Sequence, residues 1–127
     1  MADFKKYIWL SAPPEEVYLA LSKAQSIQLW TGAAVDFEEV ADTEFSLWDG
    51  DIVGRNIAFE TGKKIVQQWY FGEDSAPSIV TIKLHPDKKG TSLEFHQTNI
   101  PDADFSDFTE GIQEHYLGGL IDFFEED

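Results

Sequence analysis

The feature that most limits how this chain can fold is a change of hydrophobic period, made twice. Between Ala34 and Asn99 apolar residues recur at alternate positions, whereas on both sides they recur every third or fourth. Period two belongs to a strand with one covered face, and a three-and-four spacing to a helix with one apolar stripe. A sheet flanked by helices in sequence is the only arrangement that satisfies both.

The alternating segments are Ala34–Val40, Glu44–Trp48, Ile52–Phe59, Lys64–Phe71, Ser78–His85 and Thr91–Asn99. Asp49-Gly50, Thr61-Gly62 and Pro86-Asp87-Lys88-Lys89-Gly90 separate them as turns. Val80, Ile82 and Leu84 alternate with Thr81 and Lys83, and Leu93, Phe95 and Gln97 with Glu94, His96 and Thr98. Antiparallel strands with one covered and one wet face read this way.

Asp3–Leu10 reads as a first strand. Pro13-Pro14-Glu15-Glu16 then starts a short helix carrying Val17, Tyr18 and Leu21, because proline pre-sets φ and glutamates complement the helix dipole. A second short helix covers Lys23 to Trp30 and stops at Thr31-Gly32. After Asn99-Ile100-Pro101-Asp102 the helical period returns. Phe105, Phe108, Ile112, Tyr116, Leu120 and Phe123 form one long stripe, with Asp104 or Ser106 as candidate caps. Gly111, Gly118 and Gly119 inside that helix imply a bend or a close approach to the sheet. The expected fold is α+β: a curved antiparallel sheet of six to seven strands packed on a long C-terminal helix, with two short helices after strand 1.

At 127 residues the chain is expected to form a single domain, 1–127. With no cysteine, thiolate chemistry and disulfides are excluded. No apolar h-region follows Met1–Lys6 and no apolar run approaches bilayer length, so the expected address is cytoplasmic, without membrane contact. Nine Lys and Arg against 24 Asp and Glu give a net charge of -15, which repels nucleic-acid phosphate and anionic lipid. A basic protein surface is the partner such acidity would suit. Glu125, Glu126 and Asp127 read as a solvated tail.

Chemistry-bearing patterns are sparse. His85, His96 and His115 fall on different elements without ligand spacing, so no metal site is expected. No serine sits in a nucleophile elbow, Asp49 and Asp51 flank a turn glycine, and Gly118-Gly119 is no phosphate loop. Neither an enzyme nor a cofactor is expected.

Several stretches together resemble a known family. They are Ala12-Pro13-Pro14-Glu15-Glu16-Val17-Tyr18, Phe45-Ser46-Leu47-Trp48-Asp49-Gly50 with Ile52 and Gly54, and Lys63-Lys64-Ile65-Val66-Gln67-Gln68-Trp69. Gly90-Thr91-Ser92-Leu93-Glu94-Phe95 and Gln97-Thr98-Asn99-Ile100-Pro101 complete the set. In this order they resemble the activator-of-heat-shock-protein-90-ATPase-like family, within the helix-grip superfamily of START domains and the birch-pollen allergen. The resemblance implies a cavity between sheet and long helix, which in relatives often takes a small apolar molecule, and a chaperone connection. The resemblance to the larger eukaryotic activators runs only through their C-terminal domain, and no counterpart of their N-terminal one is expected within these 127 residues.

The aromatic load, ten Phe, four Trp and four Tyr, must fill a core or line that cavity. Candidate lining residues are Trp30, Trp48, Trp69, Phe71, Phe95, Phe108, Ile112 and Tyr116, with Gln67, Gln97 and His115 as orienting polar groups. Two functions follow as expectations. One is non-catalytic binding of a small hydrophobic ligand; the other is a protein-interaction module, a stress or chaperone accessory factor using its acidic surface.

Overall fold

The structure is a computed structural model that describes residues 2–71 and 78–125. Its elements are β1 (Ala2–Leu10), α1 (Pro14–Ser22), α2 (Ala24–Thr31), β2 (Glu44–Leu47), β3 (Ile52–Glu60), β4 (Lys64–Trp69), β5 (Ser78–Asp87) and β6 (Gly90–Ile100). The C-terminal helix follows as α3 (Phe105–Gly111), a π-helical turn (Ile112–Leu117) and α4 (Gly118–Glu125). The strands form one antiparallel sheet in the order β1-β6-β5-β4-β3-β2. This is the expected helix-grip architecture, with six strands.

Register follows the alternation. Val80, Ile82, Leu84, Leu93, Phe95 and Gln97 are all buried on the concave face, while Lys83 is exposed. The β5–β6 hairpin is tighter than expected. Asp87 pairs with Gly90, so only Lys88 and Lys89 form the loop, with Lys88 at φ 59°. In β3 a bulge between Asn56 and Ala58 breaks the alternation. The extra residue, Ile57, lies outside, so that Asn56 and Phe59 both reach the interior.

The expected strand at Ala34–Val40 does not form. It makes a single bridge, Asp36 with Ser46, through reciprocal 2.9 Å bonds. Its next groups are taken by other partners: Glu38 O accepts from Asn56 Nδ2 (3.0 Å), and a turn at Asp42 (φ 67°) sends Asp42 N to Asn56 O (2.8 Å). Phe37 earns its burial by packing on Phe45 and Phe59, with ring centroids 5.8 and 6.3 Å away. Side-chain satisfaction here replaces ladder bonding.

Of the three glycines of the last helix only Gly119 makes a close approach to another element, and that element is α2, not the sheet. A Cβ on Gly119 would lie 3.3 Å from the Trp30 ring, whereas one on Gly111 would meet nothing within 4 Å. The π turn has its own cause in the sequence. Phe108, Ile112, Tyr116 and Leu120 are spaced by four, and at 3.6 residues per turn each step drifts about 40° from the buried face. A wider turn absorbs the drift, and Ile112, Tyr116 and Leu120 all stay buried. Asp104 occupies the cap position without bonding through its side chain.

Candidate functional site

The concave face, α2 and the C-terminal helix bring the aromatic candidates together. Tyr116 is the hub: its ring centroid lies 5.0 Å from Trp30, 5.6 Å from Phe95, 5.7 Å from Trp69 and 6.4 Å from Trp48. Phe108 extends the cluster toward solvent, 6.0 Å from Trp69 and 4.7 Å from Phe71. Each indole N–H is satisfied within the protein: Trp30 by Ala20 O (2.8 Å), Trp48 by Thr31 O (3.2 Å) and Trp69 by Gln67 Oε1 (2.9 Å). Rings therefore occupy the deep part of the grip.

Across the sheet beneath them, pairing aligns Asn56, Gln67, Val80 and Gln97 in one row. Gln67 is committed at both ends, accepting from Trp69 and donating to Asn56 Oδ1 (3.0 Å). Gln97 is not. Its Nε2 donates to Ser78 Oγ (2.9 Å), but its fully buried Oε1 has no hydrogen-bond partner among the described residues. The Tyr116 hydroxyl makes no hydrogen bond among the described residues, and burial pushes its pKa upward.

Toward the open end, between α3 and the β2–β3 turn, lies a cleft with two lobes of about 400 Å³ each. Both lobes share Asp51, Ile52, Asp107 and Phe108. One adds Val53, Trp69, Tyr70, Phe71 and Asp104; the other adds Trp48, Gly111, Ile112, His115 and Tyr116. His115 stands at the rim, largely exposed, 4.0 Å from Glu114 Oε2. Trp48, Trp69, Phe71, Phe108, Ile112, His115 and Tyr116 thus meet at the cleft, while Trp30, Phe95, Gln67 and Gln97 lie outside its lining. Sequence reasoning missed the rim carboxylates Asp104 and Asp107. It read Asp51 as turn chemistry alone, which the Asp51 N to Trp48 O bond (3.2 Å) does support.

A second groove of about 890 Å³ runs outside the sheet, between α1, the β3–β4 turn and the end of β5. Lys23, Lys63, Lys64 and Lys83 line it, with Tyr18, Leu19 and His85. No sequence signal pointed to it, because these lysines come from three separate places in the chain. Among the described residues no group of three or more His, Asp or Glu is placed to hold a metal ion, and no helix is long and apolar enough to cross a membrane.

With this geometry in hand, the comparison with known proteins is decisive on family. The profile of the Activator of Hsp90 ATPase homolog 1-like proteins matches residues 11–125. The chain belongs to that family. It is 33% identical over 107 residues to the activator of 90 kDa heat shock protein ATPase homolog of Dictyostelium discoideum, covering 82% of this chain and 28% of that protein. It is 27% identical over 118 residues to the Saccharomyces cerevisiae Hsp90 co-chaperone AHA1, covering 87% of this chain and 34% of that one. It thus spans about a third of the curated relatives it matches. Among solved structures, a Chromobacterium violaceum protein superposes over 100% of both chains with TM-score 0.79 and 25% identity. An HSP90 activator from Plasmodium falciparum does so over 93% of this chain and 97% of that one, with TM-score 0.73 and 23% identity.

Proposed function

We propose that this family member is a non-catalytic binding module whose partner is a chaperone of the Hsp90 class. The observation that carries the reading is the match over residues 11–125 to a family whose relatives include named activators and co-chaperones. The geometry supports it. Rings in mutual contact fill the deep interior, and what remains open is surface clefts, a form suited to protein contact. The test is binding of the purified chain to an Hsp90-class chaperone by calorimetry, alongside the chaperone's ATP turnover. Saturable binding supports the reading, with or without a change in turnover. An absence of binding at high micromolar concentration overturns it.

One observation favours a second reading, a small and largely apolar molecule between sheet and helix, bounded by Trp69, Phe95, Phe108, Ile112 and Tyr116. The orphaned Gln97 Oε1 would accept a hydrogen bond from such a ligand. Ile112→Trp tests it by filling the space. Loss of uptake of an apolar fluorescent probe, with the fold retained, supports the ligand. Wild-type protein that binds no probe removes it.

A further inference from the structure

The cleft at the open end of the grip combines carboxylates with aromatic faces and has no lysine or arginine in its lining. We propose that it receives a basic side chain, arginine or lysine, of a partner protein. The proposal rests on the protein-binding reading above and gives that reading a place on the molecule.

The two halves of the cleft come from distant parts of the sequence. Trp48 and Asp51 stand on the β2–β3 turn, and Asp107 and Phe108 on α3. The floor is aromatic, with Trp48 and Tyr116 6.4 Å apart in one lobe and Phe108 and Phe71 4.7 Å apart at the other. A guanidinium or ammonium group is drawn to the negative face of such rings, and its aliphatic stem covers apolar surface that would otherwise stay wet. Three carboxylates, Asp51, Asp104 and Asp107, supply the opposite charge at the rim. An anionic or a purely apolar guest would leave them unanswered.

A second and independent observation points the same way. Tyr116 lines the cleft, is only 3% exposed, and its hydroxyl makes no hydrogen bond among the described residues. Its oxygen can accept a hydrogen bond from a guest in the cleft, and arginine and lysine bring only donors. The charge of -15 draws basic surfaces from beyond contact range, so encounter and seat have the same sign. The other groove sets its lysines beside Glu15, Glu39 and Glu60 and so offers this guest no net negative seat.

The experiment is an amide NMR titration of the whole chain with acetyl-Leu-Arg-Leu-amide, beside a twin carrying neutral citrulline for arginine. Expected are shifts confined to residues 48–52 and 104–116, absent with the citrulline peptide and weakened by added salt. Asp51→Asn and Asp107→Asn should each weaken binding about two- to fivefold, with thermal melts confirming that both variants fold. Equal binding of the citrulline peptide, shifts centred on the lysine groove, or no shifts at millimolar peptide would overturn the proposal. The D51N/D107N double variant separates the two readings. Weaker chaperone binding supports the cleft as the seat. Undiminished chaperone binding sinks the cleft and leaves the chaperone reading standing. Wild type that binds the peptide but no chaperone does the reverse.

Discussion

The Tyr18 hydroxyl of α1 donates a 2.6 Å hydrogen bond to Glu39 Oε2, and Lys23 Nζ lies 2.9 Å from the other oxygen of that carboxylate. The triad pins the irregular segment before β2 against α1. Burial first, then the bond and the charge of Glu39, push the Tyr18 phenol up to about 12. Between the ordinary 10.0 and that value the unfolded chain has released a proton that the native one keeps. Stability is therefore full below pH 10 and falls as pH rises through this window. Tyr18→Phe should show a shallower alkaline loss in urea melts between pH 9 and 11.5, retaining the part that Tyr116 contributes. The Tyr18 bond and then Lys23 hold the Glu39 carboxyl below its usual 4.5, so its contribution is present above that pH and lost as pH falls. Glu39→Gln should flatten the acid limb. Identical pH slopes in wild type and both variants would refute the pairing.

Ile112 and Leu120 are 3% and 0% exposed on the face of the C-terminal helix that meets the core. Truncating either to alanine should cost ~2–5 kcal/mol, since a packed interior collapses only partly into the space left behind. Losses under half a kcal/mol in denaturant melts would mean that the helix does not grip the sheet as described.

Two glycines should respond in opposite directions. A Cβ on Gly54 would sit 2.1 Å from Gln68 O and 2.9 Å from the Phe45 ring, so Gly54→Ala must push strands apart at ~1–3 kcal/mol. Gly111 has helical φ and ψ, and a Cβ there would meet nothing within 4 Å. Gly111→Ala should instead gain up to ~1 kcal/mol from helix propensity. Thermal melts that move both variants the same way would contradict this reading of the two sites.

How far the sequence foretold this structure depended on whether local pattern or long-range partnering decided the outcome. Val80, Ile82, Leu84, Leu93 and Phe95 announced their faces because period two is local, and burial followed it. Ala34–Val40 carried the same period, yet Asn56, from a strand well downstream, took the carbonyl of Glu38 and left one bridge. The π turn was visible as a repeated spacing of four but was read as an ordinary stripe. At the candidate site the aromatics were legible as an excess that one interior must absorb. The acidic rim was not, because Asp104 and Asp107 look like helix-start residues and only the tertiary fold sets them beside Trp48 and Asp51.

Gln67 and Gln97 make the same point more sharply, and the last prediction turns on their difference. Alternation places both on the concave face, and both are buried. Gln67 found two partners, whereas the Gln97 carbonyl found none among the described residues. A buried acceptor left unmade costs ~1–3 kcal/mol, while its replacement by an apolar group of like shape is close to neutral or favourable. Methionine has nearly the length of glutamine and adapts to irregular space. It forfeits only the Gln97 Nε2 bond to Ser78 Oγ, whose own donation to Thr98 O (2.7 Å) survives. Gln97→Met should therefore leave the urea midpoint unchanged or raise it. If a ligand donor is what the carbonyl serves, the same variant should lose uptake of an apolar probe bearing one N–H or O–H group. A loss of more than ~1 kcal/mol would show that a buried water already satisfies this oxygen, and the case for a ligand donor there would fall with it.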